Sequence, residues 1–191
     1  LDTSSSMADT TIFGISRLKA LKQVADYFVD NSSVSASGNH VAIVNFNHKT
    51  ITSTTQGLTD NIPALHTGIS DAVNATHWGT YYVQAMQTGL QALNGPGSRL
   101  TAPKVMVFIS DGLPDDAEDS DWSSTSASVS MGYAQANLVK AQGVTLYTIS
   151  ISNEAVTVLQ NMASSGKFAG AAYSYTDFTN IIEALADTLG C

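Results

Sequence analysis

Val105-Met106-Val107-Phe108-Ile109-Ser110 is a short apolar run rich in β-branched residues and free of charge, immediately followed by Asp111-Gly112-Leu113-Pro114. Such a run fits a strand covered on both faces, and a strand of that kind needs helices on both sides of its sheet. Asp-Gly and then Leu-Pro force a turn at its end. A carboxylate, Asp111, is therefore expected at the C-terminal edge of a buried strand.

The remaining periodicities agree with that architecture. Ile12, Ile15, Leu18, Leu21, Val24, Ala25 and Phe28 recur at helical spacing and predict an amphipathic helix over roughly 11–30. Val41 to Phe46 reads as a strand, and the alternation from Lys49 to Thr55 as its antiparallel hairpin partner. Helices are predicted over 62–73 and 83–93, with a break at Asn94-Gly95-Pro96-Gly97-Ser98. A helix over about 130–141, a strand over 144–151, a short helix over 154–163, a last strand over 171–175 and a final helix marked by Phe178, Ile181, Ile182, Leu185 and Leu189 follow. Strands alternating with helices imply a mostly parallel α/β sheet with right-handed crossovers. The 191 residues are one domain's worth, without internal repeat or linker.

Composition narrows the partners. A net charge of -8 with only eight Lys and Arg argues against nucleic acid or an anionic membrane. Asp outnumbers Glu 13 to 3, and 43 residues are Ser or Thr, a lysine-poor polar balance that leans towards an extracellular setting. No apolar run approaches the roughly 18 residues that span a bilayer, and no signal peptide is visible.

The chemistry concentrates in Asp2-Thr3-Ser4-Ser5-Ser6, a D-x-S-x-S pattern after an apolar residue. One carboxylate and two hydroxyls at alternate positions aim three hard oxygens at one point as a chain leaves a sheet. Oxygen donors without sulfur or imidazole suit Mg²⁺, Mn²⁺ or Ca²⁺ and do not suit zinc. The competing reading is a helix N-cap, for which Asp and Ser are also favoured. Thr80 follows Gly79 just before the 83–93 helix, and ligands of open α/β sheets gather at the carboxyl ends of strands. Asp2, Ser4, Ser6, Thr80 and Asp111 together make an oxygen-only candidate metal site.

D-x-S-x-S, then Gly-Thr, then a strand ending in Ser-Asp-Gly resembles the von Willebrand factor type A domain over almost the whole chain. The resemblance implies a Rossmann-like, doubly wound, mostly parallel central sheet with one antiparallel edge strand and helices on both faces. It implies an intact metal-ion-dependent adhesion site made by Asp2, Ser4, Ser6, Thr80 and Asp111, with Mg²⁺ as cofactor and Mn²⁺ or Ca²⁺ as alternatives. Ser4 and Ser6 would coordinate directly, and Thr80 and the two aspartates directly or through water. It also implies a central strand ahead of Asp2, of which only Leu1 stands in this sequence. A sheet without its middle strand exposes two edges, so the expectation is a fragment, a cleavage product or a domain completed by a strand from elsewhere. On the same resemblance, Cys191 would pair with a cysteine upstream of Leu1; a free thiol is the alternative.

Other residues carry weaker signals. Asp115, Asp116, Glu118, Asp119 and Asp121 read as a solvated acidic loop in preference to a second Ca²⁺ site, since the EF-hand frame is lacking. Asp9 stands where the integrin β domain has the first aspartate of an adjacent calcium site, but Thr10 replaces the second. Trp78, Tyr81, Tyr82 and Trp122 flank the site as packing residues or ligand anchors. His40, His48, His66 and His77 show no ligand spacing. Asn31-Ser32-Ser33 and Asn74-Ala75-Thr76 match the glycosylation sequon.

The function implied is metal-dependent adhesion by a secreted or cell-surface protein, in which a partner's Asp or Glu carboxylate, or a matrix or host surface presenting one, completes the coordination of the cation. A structural module of a pilus, matrix or large adhesin is the alternative. An enzyme is not expected. Haloacid dehalogenase-type phosphatases need a second Asp where Ser4 stands, and neither a Ser-His-Asp arrangement nor a phosphate loop is found.

Overall fold

A computed structural model describes residues 1–9, 14–48, 52–73, 79–116, 126–172 and 175–188. Of the residues singled out above, Thr10, Ile12, Lys49, Asn74, Ala75, Thr76, His77, Trp78, Glu118, Asp119, Asp121, Trp122, Leu189 and Cys191 lie outside the described residues.

Five strands alternate with six helices among the described residues: α1 (Arg17–Asn31), β1 (Val41–Asn45), β2 (Ser53–Thr59), α2 (Ile62–Ser70), α3 (Tyr82–Asn94), β3 (Lys104–Ser110), α4 (Ser126–Ala141), β4 (Val144–Ser150), α5 (Val156–Met162), β5 (Ala169–Ala171) and α6 (Tyr175–Thr188). β3, β4 and β5 are parallel, with Lys104 opposite Val144 and Thr148 opposite Ala169. β1 and β2 form an antiparallel pair. This is the α/β fold of the sequence expectation.

The pleat explains why both faces are covered. Successive side chains of a strand point to opposite sides. On one side Met106 and Phe108 of β3 and Val144 and Leu146 of β4 meet Met86 and Leu90 of α3, Ala136 and Val139 of α4, and Leu159 and Met162 of α5. On the other, Ile109, Tyr147 and Ile149 meet Leu21 and Val24 of α1, with Ile181 of α6 packed against them. Ile43 of β1 meets Val29 of α1 and Leu65 and Ile69 of α2. No helix among the described residues is long and apolar enough to cross a membrane.

Leu1–Thr3 runs parallel to β1. The Leu1 amine donates to Val44 O (2.8 Å), Phe46 N–H to Leu1 O (3.0 Å), and Thr3 N–H to Phe46 O (2.8 Å). Leu1 packs against the apolar group that includes Ile109 of β3 and against the one that includes Ile43 of β1. Behind it a cavity of about 680 Å³ lies between the two groups of strands, lined among others by Val41, Ile43, Val105 and Val107. Leu1–Thr3 therefore extends the β1–β2 pair, separate from the three-stranded β3–β4–β5 sheet, and brings Asp2 to Ser110 at the end of β3.

Several boundaries differ from the periodicity. α1 starts at Arg17, not near residue 11, because Gly14 takes a left-handed φ of 72° and Ser16 caps the helix by accepting Lys19 N–H. β2 runs over Ser53–Thr59, past the predicted end at Thr55, because its bulged pairing carries on to match Val41 with Thr59; residues 49–51 of the predicted strand lie outside the described residues. α4 begins four residues early, at Ser126, in a serine-rich stretch whose Ser128 is buried. The last strand is Ala169–Ala171, not 171–175. Its small residues admit α6: a Cβ on Gly170 would stand 2.6 Å from Ile181 Cδ1.

α2 is clamped to α1 by a charged contact. His66 Nδ1 lies 2.6 Å from Asp26 Oδ1 and Nε2 lies 3.0 Å from Asp30 Oδ1. With carboxylates on both ring nitrogens the imidazolium is favoured, and its pKa rises above 6.5, chiefly through the Asp26 hydrogen bond. A histidine raised on folding contributes stability that is complete below its unfolded pKa and lost as pH rises through the folded one. Urea unfolding at a series of pH values from about 6 upward should show wild-type stability falling relative to His66→Gln. Parallel pH profiles for the two proteins would refute the clamp.

Candidate metal site

The carboxyl edge is built from three short segments. Asp2 leaves the sheet and its Oδ1 accepts the Ser4 N–H (2.8 Å), an Asx turn that bends the chain at once. A single 3₁₀ turn, Ser5–Ala8, follows, with Met7 buried beneath it. This turn brings Ser4 Oγ within 3.0 Å of Ser6 Oγ. Ser6 Oγ–H then donates to Asp111 Oδ1 (2.9 Å) across 105 positions of sequence. At the end of β3, Ser110 Oγ–H donates to the other oxygen of Asp2, Oδ2, at 2.6 Å. Four of the five residues anticipated from the sequence are thus joined in one hydrogen-bonded group.

Thr80 lies on a third segment. Gly79 before it has a φ of 122°, a value L side chains rarely adopt, and an added Cβ would press on the Tyr81 ring at 2.8 Å. Thr80 Oγ1 faces the Asp111-Gly112 turn, 3.5 Å from where a Cβ on Gly112 would be. The segment is held from both sides: Tyr81 N–H donates to Asn47 O, Asp115 N–H to Thr80 O (3.0 Å), and the Tyr82 hydroxyl to Gly112 O (2.6 Å). Burial pushes the Tyr82 phenol up, so it stays protonated and donates. Tyr82 is fully buried against Phe46 and Phe108 and is a packing residue.

The electrostatics fit a cation. Asp2 and Asp111 are 0% and 1% exposed. Burial first, and the negative charge of Asp111 second, push the Asp2 carboxyl up to about 6, against the hydrogen bonds from Ser110 and Ser4. Two adjacent buried carboxylates destabilise each other unless a positive charge lies between them or beside them. Among the described residues no three His, Cys, Asp or Glu side chains cluster as a metal group. The donors at this edge are two carboxylates and three hydroxyls, a hard-oxygen set.

A model of the von Willebrand factor type A domain matches residues 1–187. The chain belongs to that family. No curated protein matches its sequence, but solved structures share its fold. The von Willebrand domain of the type V pili tip protein Mfa5 from Porphyromonas gingivalis superimposes with a TM-score of 0.79 at 15% identity, covering 99% of this chain and 92% of that one. Proximal thread matrix protein 1 from the mussel byssus, with a zinc-occupied adhesion-site motif, gives 0.75 at 18% identity, over 98% and 43%. Manganese-loaded TRAP protein from Plasmodium vivax gives 0.70 at 14%, over 97% and 69%. This von Willebrand A domain spans less than half the length of the mussel protein. In that mussel structure the motif is occupied by zinc.

Two residues of the von Willebrand A domain that hold the site were not read as such from the sequence. Arg17 Nη1 donates to Asp111 Oδ2 at 2.6 Å. Its signal, a cation at the start of α1, carries no spacing relation to the motif. Asp116, expected in a solvated loop, is 7% exposed. Its carboxylate accepts Tyr82 N–H (3.0 Å) and Val83 N–H (2.9 Å), capping α3 from a distant loop. Burial raises it to about 6 against those two bonds, so it is ionised at neutral pH. Because the cap ties the loop after Asp111 to the helix after Thr80, Asp116→Ala should destabilise the fold by about 1–2 kcal/mol. Chemical denaturation measures this; a loss below about 0.5 kcal/mol would return Asp116 to the solvated loop. The other described histidines have packing partners, His40 with Gly97 O and His48 with the Tyr81 ring.

Proposed function

We propose that this domain binds a partner protein through a divalent cation held by Asp2, Ser4, Ser6, Thr80 and Asp111, and that it is not an enzyme. The observation that carries the reading is the convergence, at one sheet edge, of two buried carboxylates from two segments of chain with the hydroxyls of Ser4 and Ser6 beside Asp2 and of Thr80 from a third segment. Asp2 and Asp111 bring at most two negative charges, and Arg17 already offsets part of that. A cation here keeps residual positive charge and open positions, which favour an anionic oxygen. Its chemistry would be that of a Lewis acid, drawing in the carboxylate of a partner's Asp or Glu.

The protein's own part is positional. The Asx turn and 3₁₀ turn present Ser4 and Ser6, Ser110 orients Asp2, and the Asp116 cap keeps Thr80 beside Gly112. Mg²⁺ is the preferred occupant for this donor set, with Mn²⁺, Ca²⁺ and Zn²⁺ as competitors. The metal-bearing structures of relatives, with zinc and with manganese, support occupancy by a divalent ion. The pilus-tip and byssal-thread relatives support an extracellular or surface setting. The byssal relative, a matrix protein by name, also favours a second reading, a module of an extracellular assembly whose cation stabilises the fold.

Calorimetric titration of metal-stripped protein with the four ions tests the proposal. One-site saturable binding is expected, weakened roughly tenfold or more in Ser4→Ala/Ser6→Ala and lost in Asp111→Ala. Circular dichroism should remain that of the folded protein in the serine variant. Absence of binding to the folded wild type would refute metal-dependent recognition. Retained partner binding with lost stability in the serine variant would favour the assembly role.

A further inference from the structure

Arg17 is out of place as a helix residue. It occupies the first turn of α1, where the helix dipole disfavours a positive charge. What it gains there is a charged hydrogen bond, Nη1 to Asp111 Oδ2 at 2.6 Å, with the aspartate side chain fully buried and the arginine side chain 27% exposed. Asp111 thus divides its carboxylate: Oδ1 accepts the Ser6 hydroxyl and Oδ2 accepts the guanidinium. The second acidic neighbour of Arg17 is Asp9, whose Oδ2 lies 3.8 Å from the same Nη1 and whose side chain is 67% exposed. The Arg17 backbone N–H is itself anchored on the Asp9 carbonyl at 2.9 Å. The base of the side chain is therefore fixed while its head lies between a buried carboxylate and an exposed one.

We propose that Arg17 is a resident counter-cation of the adhesion site, which shares Asp111 with the divalent ion and withdraws towards Asp9 when that ion is bound. The inference rests on the reading of the site as a divalent-cation site. A guanidinium and a divalent ion on one carboxylate repel each other strongly in a poorly solvated pocket. Arg17 consequently compensates the buried charge of Asp111 when no metal is bound and lowers affinity for metal by the cost of its own displacement. Asp9 offsets part of that cost by offering the displaced guanidinium a partner. Seven positions after Asp2, it acts through Arg17 and is not a ligand of a neighbouring ion.

Calorimetric titration with Mg²⁺ and Mn²⁺, with thermal melts in chelator and in saturating Mg²⁺, tests this on the full chain. Arg17→Gln should bind either ion roughly ten- to a hundredfold more tightly than wild type. Its melting temperature should drop in chelator yet recover to wild type or above in Mg²⁺. Asp9→Asn, an exposed substitution that leaves packing untouched, should weaken metal binding, and the effect should vanish in the Arg17→Gln background. If wild type binds metal and Arg17→Gln binds no tighter, or Arg17→Gln loses equal stability with and without Mg²⁺, Arg17 is a plain structural ion pair and the inference falls alone. An Asp9→Asn effect that persists without Arg17 overturns the shuttle equally. If neither wild type nor Arg17→Gln binds a cation, the inference and the functional reading fall together.

Discussion

The hydrogen bond from Ser110 Oγ to Asp2 Oδ2 crosses the line along which this sheet is assembled. Asp2 arrives on the chain segment paired with β1, and Ser110 is the last residue of β3. That junction organises the carboxyl edge. It orients one carboxylate, brings Asp111 alongside, and so creates the pair of buried negative charges around which the hydroxyls gather. Burial first and the charge of Asp111 second push the Asp2 carboxyl up to about 6. A fold that keeps two such groups together has a built-in demand for positive charge, and at this edge Arg17 answers part of it.

The supports of this edge are unusually non-local. Asp116 caps a helix that begins 34 residues earlier, Ser6 reaches Asp111 across 105, and the Tyr82 hydroxyl holds Gly112 O. Each joins one of the three site segments to another. Rigidity therefore comes from crossing hydrogen bonds between loops as well as from the strands beneath. A change in any one segment is transmitted to the other two through bonded groups, not through empty space.

Legibility in the sequence followed locality. Val105–Ser110 was recognisable because a strand covered on both faces is apolar at successive positions, and its observed span differs by one residue. β4 is legible to within a residue for the same reason, and α3 because its apolar residues recur at helical spacing. α1 was misplaced at its start because the apolar stripe continues upstream of a glycine and a serine that stop the helix. β2 continues past Thr55 because bulges lengthen it against β1, and register belongs to the pair of strands and not to either one. Asp116 was misread because an acidic run looks solvated until a distant helix needs a cap.

The sequence alone determined the alternation of buried strands and amphipathic helices, and the D-x-S-x-S, Gly-Thr and Ser-Asp-Gly motifs at their ends. Those are properties of residues a few positions apart, so the pattern along the chain contains them. Tertiary structure decided which oxygens meet, how deeply the two carboxylates are buried, and which cation the protein supplies for itself. Arg17 and Asp111 are 94 positions apart. Only the packing of α1 against the sheet brings a cation at a helix start to a carboxylate at a strand end, and no period in the chain records it.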